Sequence, residues 1–285
     1  MSPNYDPDIF WDERCKKFGH TGWSDSLLYR YDQPLRLKAV EKALSQAGID
    51  INEKTKVLDI GCGTGDLIQL LAVKGAKVVG IDISREVVMR TKKRFEGNSK
   101  VQIFVSRVED LNFPSESFDL VTSITVLQHI VEEGAFLSAV QNIISVLKKG
   151  GHLLLLESAP LKKPKEQRVT HKIIRSRHEW IDVFEGLGCS LVAELTYPQW
   201  ALIFLRMLDN FTRNLFRLNR SSTNPVKTRI SSSKGKAGFV LKILYSLYNV
   251  RRPIIFTICY PIDHWLFLPT ISKYAEYRIL IFKVI

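Results

Sequence analysis

The chain has 285 residues, of which 45% are hydrophobic, and this is enough for one α/β domain with an added segment and a core that needs no disulfides. Its four cysteines are far apart in sequence, which argues against a zinc site and a secreted disulfide framework, and the first ten residues lack an export signal. We therefore expect a cytoplasmic protein without a metal, whose net charge of +12 favours anionic partners.

Aromatic residues dominate the start of the chain. They are Phe10, Trp11, Phe18, Trp23, Tyr29 and Tyr31, and a helix of mixed character is predicted to follow from Pro34 to Ala47. The rings predict either a lid over a bound ligand, where they would attract a cation, or a simple N-terminal cap packed on the core. We assign residues 1–50 to this cap or lid.

The middle of the chain alternates β-branched runs with helical stretches, which is typical of a parallel sheet with crossover helices. The predicted strands are 56–60, 77–81, 101–105, 118–123, 151–157, 189–197 and 276–284. The predicted helices are 65–74, 84–96, 133–148 and 177–187. Gly150 and Gly151 are expected to form the turn before the fifth strand. This pattern predicts an α/β core over residues 51–197 that residues 273–285 complete.

A glycine-rich loop joins the first strand of the core to its first helix. Gly61, Gly63 and Gly65 leave room for a ligand to approach the backbone. Asp82 ends the second strand about twenty residues later, where a carboxylate can accept both hydroxyls of a ribose. The two features together predict a nucleoside ligand.

The same loop indicates which nucleoside is bound. In dinucleotide-binding proteins a third glycine stands three residues after the second, and the helix N-terminus holds a pyrophosphate. Asp66 occupies that position here and would repel a pyrophosphate, whereas Asp59 can face a cationic amino group and sulfonium. This difference favours S-adenosylmethionine, which is positively charged and has no phosphate.

The sequence from Val57 to Asp66 resembles motif I of class I S-adenosylmethionine-dependent methyltransferases, and Asp82 resembles the acidic residue of their second strand. Residues 109–121, 126–130 and 147–151 resemble later segments of the same family, in the same order. The resemblance implies an α/β fold with a seven-stranded Rossmann-like methyltransferase sheet, an N-terminal cap and a helical insert before the last strand.

The resemblance also implies which residues hold the cofactor. The glycine loop would bind the methionine part, Ile83 would contact one face of the adenine, and the loop after the third strand would reach the adenine edge. Many relatives have an acidic residue where Arg107 stands, and Glu109 could substitute for it. The implied cofactor site consists of Asp59, Gly61, Cys62, Gly63, Gly65, Asp82, Ile83, Val108, Glu109, Ser123 and Ile124.

His129 follows the fourth strand, at the sheet edge where ligands of open α/β sheets collect, and it is the candidate general base. The alternative is that it only orders its own loop. His171, His178 and His20 are weaker candidates for the same role. Methyl transfer requires little beyond alignment of the acceptor, because the sulfonium is already activated.

Residues 198–272 interrupt the core and carry much of the positive charge. Between residues 200 and 268, eleven Lys and Arg residues stand against Asp209 and Asp263, and two apolar, aromatic stretches flank a Ser- and Lys-rich linker. This combination predicts a basic amphipathic helical insert for a lipid-linked or membrane-proximal acceptor, although neither stretch could span a bilayer. A self-packed helical cap and a nucleic-acid-binding surface remain as alternatives.

The sequence thus predicts a methyltransferase that acts on an oxygen or nitrogen of a small-molecule, saccharide or lipid-linked acceptor. The alternative is an RNA-modifying methyltransferase that binds nucleic acid through the basic insert, although the chain has no Asn-Pro-Pro-Tyr-like loop for base amines. A non-enzymatic binding module is a third alternative. The residues do not define the acceptor atom or the oligomeric state.

Overall fold

The computed structural model of the chain describes residues 5–22, 26–164, 168–197, 201, 204, 254–261, 263 and 275–285. The chain divides into two compact units, Met1–Tyr197 with Ile271–Ile285 and, separately, Pro198–Thr270. The sheet and the candidate site lie in the first unit. The assignment of cap, core and insert to separate tasks stays a prediction.

A seven-stranded sheet forms the centre of the first unit. Its strands are β1 Lys56–Ile60, β2 Lys77–Asp82, β3 Val101–Val105, β4 Phe118–Ile124, β5 Leu147–Ser158, β8 Cys189–Thr196 and β9 Tyr277–Val284, and a separate two-stranded hairpin consists of β6 Arg168–Val169 and β7 Lys172–Ile173. The sheet order is β3-β2-β1-β4-β5-β9-β8, with β1 to β5 parallel and β9 antiparallel to both neighbours. The predicted Rossmann-like fold class is confirmed.

Helices connect and cover these strands. They are α1 Pro7–Phe18, α2 Ser26–Gln46, α3 Asp66–Val73, α4 Arg85–Arg94, α5 Glu133–Val146 and α6 Arg177–Glu185. Helix α4 begins after Ser84, whose hydroxyl accepts a hydrogen bond from the amide of Val87, as expected for an N-cap. Between β4 and α5 the chain makes a single 3-10 turn, Leu127–His129.

Strand β5 contains a continuous apolar run that lies in the core of the first unit. Leu153, Leu154, Leu155 and Leu156 of β5 are all at most 1% exposed, which is typical of a strand in a sheet that is covered on both faces. Such a sheet gives a rigid base for the loops at its carboxyl edge. The strand order reverses between β1 and β4, and this is the position where open α/β sheets form a ligand crevice.

Two local predictions were wrong. Helix α2 begins at Ser26 and contains Pro34, which the sequence placed at the helix start. Proline removes one backbone hydrogen bond from a helix interior, but burial of Leu35 and Ala39 favours a continuous helix here. Strand β5 begins at Leu147, so Gly150 lies inside it, with φ +76° at a shift of register against β4, and not in a turn.

Most of the predicted insert lies outside the described residues, including Arg206, Arg213 and Arg217. Residues 254–260 of the second unit are helical. Within the described ranges, no helix is both long and apolar enough to cross a bilayer.

Candidate functional site

A cavity of about 880 Å³ opens at the carboxyl ends of β1, β2 and β4. Ligand pockets range over roughly 300–1,000 Å³, so this one has room for a nucleoside and a second molecule beside it. Most of the predicted cofactor residues line it, namely Asp59, Gly61, Cys62, Gly63, Asp82, Ile83, Val108, Glu109 and Ile124. The candidate base His129 lines it as well.

The glycine loop between β1 and α3 forms part of the cavity wall. Gly61 has φ +63°, and a Cβ at this position would lie 2.3 Å from Cγ2 of Val126, so only glycine fits. Gly65 has φ +79° and does not line the cavity. A Cβ at Gly65 would lie 2.6 Å from the ring of Phe95, so this glycine allows a close approach of the loop to α4. Gly65 therefore packs the loop against α4, whereas Gly61 and Gly63 face the ligand space.

Asp82 ends β2 with its carboxylate anchored to the backbone. One oxygen accepts a hydrogen bond from the amide of Gly63 and the other from the amide of Ser84, each at 3.0 Å. Burial raises the pKa of Asp82 to about 6, against the opposing effect of these backbone donors. Each carboxylate oxygen keeps acceptor capacity, so the group can still bind a pair of hydroxyls.

Asp59 lies deeper in the same cavity, at the end of β1. It is 3% exposed and accepts a hydrogen bond of 2.7 Å from the hydroxyl of Thr122. Burial raises its pKa to about 7 against the opposing hydrogen bond from Thr122, and the charge of Asp82 contributes to this rise. Two buried carboxyls that repel each other make this end of the cavity suited to a positively charged ligand.

The positions of Asp66 and Ser123 differ from what the sequence predicted for this part of the cavity. Asp66 does not line the cavity, since its carboxylate forms an ion pair with Arg94 at 2.6 Å and accepts a hydrogen bond from the hydroxyl of Tyr29. Arg94 therefore neutralises the charge of Asp66, and the expected repulsion of a pyrophosphate by Asp66 is removed. Ser123 is also absent from the cavity wall, because its side chain is fully buried in the sheet.

The loop after β3 takes part in an ion-pair network that the sequence did not predict. Arg107 contacts Asp8 of α1 at 2.7 Å and Glu109 at 3.4 Å. The amide side chain of Asn142 donates to the backbone carbonyl of Glu109 at 2.7 Å and to that of Val108 at 3.3 Å. These bonds hold the loop after β3 in place, and they make Arg107 the link between this loop and the N-terminal helix.

Helix α1 forms part of the cavity wall, and its role as a lid or as a packed cap stays a prediction. Trp11 and Arg14 line the wall, and Asp12 accepts hydrogen bonds from the hydroxyl of Ser84 at 2.5 Å and the amide of Glu86 at 3.2 Å. Helix α1 is thus attached directly to the start of α4. Trp23 lies outside the described residues.

His129 is held in one orientation by its surroundings. Its Nδ1 lies 2.7 Å from the backbone carbonyl of His171, so Nδ1 carries the proton and Nε2 has the lone pair. The ring of Trp11 meets the imidazole edge-on at 4.9 Å. Burial lowers the pKa of His129 to about 3, and the charges of Lys172 and Arg14 contribute to this effect. The imidazole is therefore neutral at pH 7.

The other candidate histidines are placed differently. His171 lines the cavity, and its ring stacks parallel to that of His129 at 5.5 Å. His178 is exposed on α6. His20 is 5% exposed and stacks on Tyr29 at 3.7 Å, outside the cavity wall.

Sequence reasoning missed the contribution of α2 to the cavity. Arg36 lines the wall, pairs with Asp32 at 2.5 Å and donates to the hydroxyl of Thr125 at 3.1 Å. Thr125 has φ +56°, an uncommon backbone conformation that is typical of functional loops. The spacing of four residues between Asp32 and Arg36 was the only signal in the sequence, and it indicates no more than a helical ion pair.

A buried acid supports the loop after β4 from below. Glu157 of β5 accepts hydrogen bonds from the amides of Val126 and Leu127, both at 2.9 Å. Burial raises its pKa to about 7, against the opposing effect of these donors. This acid fixes the segment that carries His129 without lining the cavity itself.

Residues 57–151 match the family model described as a methyltransferase domain. A ubiquinone biosynthesis O-methyltransferase of Dechloromonas aromatica (strain RCB) is 34% identical over 148 residues, 49% of this chain and 60% of that protein. A protein of the same description from Xanthomonas axonopodis pv. citri (strain 306) is 37% identical over 124 residues, 43% of this chain and 48% of that protein. The chain thus spans less than two thirds of these relatives.

The fold has a matching solved structure. An S-adenosylmethionine-dependent methyltransferase from Mesorhizobium loti aligns over 86% of this chain and 97% of its own, with a TM-score of 0.52 and 13% sequence identity. At this identity the likeness shows the fold alone.

Proposed function

We propose that this chain, whose core is a class I S-adenosylmethionine-dependent methyltransferase domain of the Rossmann-like fold, transfers a methyl group to an oxygen atom of a small-molecule acceptor. The observation that carries the proposal is one cavity of about 880 Å³ with the buried acids Asp59 and Asp82 and the neutral imidazole of His129 in its wall. Such a cavity can hold a cationic nucleoside together with an acceptor.

The residues present fit S-adenosylmethionine. Gly61 and Gly63 leave the backbone open to a ligand, and the carboxylate of Asp82 retains acceptor sites for the ribose hydroxyls. Asp59 provides a negative charge for the positively charged methionine end. S-adenosylmethionine supplies a methyl group that is already activated by the sulfonium, so the protein has to align the acceptor and exclude water.

His129 is the proposed general base. Because Nδ1 donates to the carbonyl of His171, Nε2 carries the lone pair. Nε2 lies 3.4 Å from the side-chain amide nitrogen of Gln128, so an acceptor hydroxyl would replace this contact when it gives its proton to Nε2. The rings of Trp11 and His171 fix the plane of the imidazole from two sides. A neutral, oriented imidazole is the state that a base requires before the reaction.

An oxygen acceptor is supported by the relatives, which are described as O-methyltransferases. They give no support to the RNA alternative. The finer proposal of a lipid-linked acceptor, bound by the basic insert near a membrane, rests on the sequence of residues 198–272 alone.

Titration calorimetry tests the cofactor. The full chain should bind S-adenosylmethionine and its demethylated product, and it should not bind NAD, because the buried acid Asp59 beside the glycine loop would repel a pyrophosphate. Asp82→Asn should weaken this binding. Asp182 is an exposed acid on α6, so Asp182→Asn serves as the control for loss of a negative charge. Binding of NAD with equal affinity would contradict the proposed cofactor.

Transfer is tested with S-adenosylmethionine labelled in the methyl group and a cell extract separated into lipids, RNA and small molecules. Label should enter the small-molecule or lipid fraction, as an ether that resists mild base. Label found only in RNA would contradict the proposal and favour the alternative acceptor.

A further inference from the structure

Four cationic side chains line the cavity: Arg14, Arg36, Arg107 and Lys172. Two of them are neutralised by carboxylates. Arg36 is paired with Asp32, and Arg107 is paired with Asp8 and Glu109. These two arginines therefore bring no net charge to the ligand space.

Arg14 and Lys172 differ from them, because neither forms an ion pair within the described part of the chain. The guanidinium of Arg14 donates twice to the backbone carbonyl of Gly22, at 2.7 and 3.1 Å. The ammonium of Lys172 donates to the hydroxyl of Tyr277 at 3.3 Å. Both partners are neutral oxygens, so two positive charges face the cavity without compensation.

These two charges lie at the acceptor end. The guanidinium of Arg14 lies 5.6 Å from the centre of the Trp11 ring, which meets the ring of His129 edge-on. Lys172 directly follows His171, whose ring stacks on that of His129. Both cations therefore lie on the same side of the cavity as the proposed base, and besides burial both lower its pKa. The acids Asp59 and Asp82 belong to the cofactor end. The cavity is therefore divided into an acidic part and a basic part.

The remaining nearby carboxyls do not neutralise the basic part. Glu132 lines the cavity, but its carboxylate caps α5, where it accepts hydrogen bonds from the amides of Gly134 and Ala135. Glu157, whose pKa Lys172 helps to lower against the larger effect of burial, lies outside the cavity wall. A negatively charged ligand would neutralise Arg14 and Lys172.

We propose that the acceptor is a hydroxy acid, whose carboxylate binds Lys172 and Arg14 while its hydroxyl faces His129. The inference rests on the proposed function, since it assigns the acceptor end of that same cavity. The rings of Trp11 and His171 in the wall favour an aromatic acid. Charge-assisted hydrogen bonds of this kind are about twice as strong as neutral ones, so the carboxylate would contribute much of the acceptor affinity.

The first step of the test is a titration of the full chain with S-adenosylhomocysteine, which measures cofactor binding without any acceptor. Protein saturated with this product is then titrated with 3- and 4-hydroxybenzoate and with the corresponding hydroxybenzamides. At least one hydroxybenzoate should bind about tenfold or more tightly than its neutral amide, the scale of a charged hydrogen bond.

Variants assign this preference to the two cations. Lys172→Gln and Arg14→Gln should each remove most of the preference for the carboxylate and leave S-adenosylhomocysteine binding unchanged, while Lys172→Arg should retain it. Lys149→Gln is the matched control, because Lys149 is exposed on β5 and outside the cavity wall.

Three outcomes would overturn the inference: equal affinity for acid and amide, no binding of either hydroxybenzoate, or loss of S-adenosylhomocysteine affinity in both Gln variants. The last result would assign the cations to the carboxylate of the cofactor itself. Failure of wild-type protein to bind S-adenosylhomocysteine in the first titration would instead refute the proposed function.

Discussion

The two buried acids should make cofactor binding depend on pH. In the free protein, burial raises the pKa of Asp82 to about 6 and that of Asp59 to about 7. A ribose hydroxyl or a sulfonium favours the ionised carboxylate, so binding should lower both pKa values and release protons. Affinity should be highest above pH 7 and should fall as the pH decreases through these values.

The size of the effect follows from the ionised fraction. At pH 5 a carboxyl with a pKa of about 6 is ionised in about one molecule in eleven, so a ligand that requires ionised Asp82 should bind about tenfold more weakly than at pH 8. A ligand that also requires ionised Asp59 should lose about a further hundredfold. S-adenosylmethionine should therefore show a steeper dependence than S-adenosylhomocysteine, which lacks the sulfonium charge.

Calorimetry between pH 5 and 8, in buffers with different ionisation enthalpies, measures both the affinity and the number of protons released. Asp59→Asn should remove the difference between the two ligands, and Asp182→Asn should change neither curve. His129 does not interfere, because burial lowers its pKa to about 3. Affinities that agree within about twofold from pH 5 to pH 8, with no proton release, would refute the assignment of the acids to the cofactor.

Three further predictions concern single groups. Asp82→Asn should weaken S-adenosylhomocysteine binding by about 1.5–3 kcal/mol, measured by calorimetry, and unchanged affinity would exclude the ribose contact. His129→Ala should slow methyl transfer about a hundredfold with product binding retained, whereas wild-type turnover would remove it from the mechanism. Replacement of Arg206, Arg213 and Arg217 by Gln should reduce sedimentation of the protein with anionic liposomes and leave cofactor binding unchanged. If the triple variant sediments as well as wild type, or if wild-type protein does not sediment with liposomes, the membrane proposal fails.

The sheet could be predicted because its strands carry their own signal. The leucines of β5 form a continuous apolar run, and Asp82 ends its strand at the spacing that the glycine loop requires. Local rules failed where tertiary contacts outweighed them. Pro34 is accommodated inside α2, and Gly150 forms an irregularity within β5.

The acceptor end of the cavity could not be predicted from the sequence. Arg14 comes from α1 and Lys172 from a two-residue strand, and neither belongs to a motif. Their meeting depends on how the N-terminal helices pack on the sheet. Asp66 shows the opposite error, because its position beside the helix start indicated repulsion of a pyrophosphate, whereas its charge is paired with Arg94.

The division of the cavity bears on how His129 could act as a base. Burial is the largest cause of its low pKa, and the positive charges of Lys172 and Arg14 lower it further, so the free protein holds a neutral but weak base. An acceptor carboxylate bound by those two side chains would offset their charge and raise the pKa of His129. The acceptor would then strengthen the group that removes its proton, and a neutral analogue that binds in the same place would not.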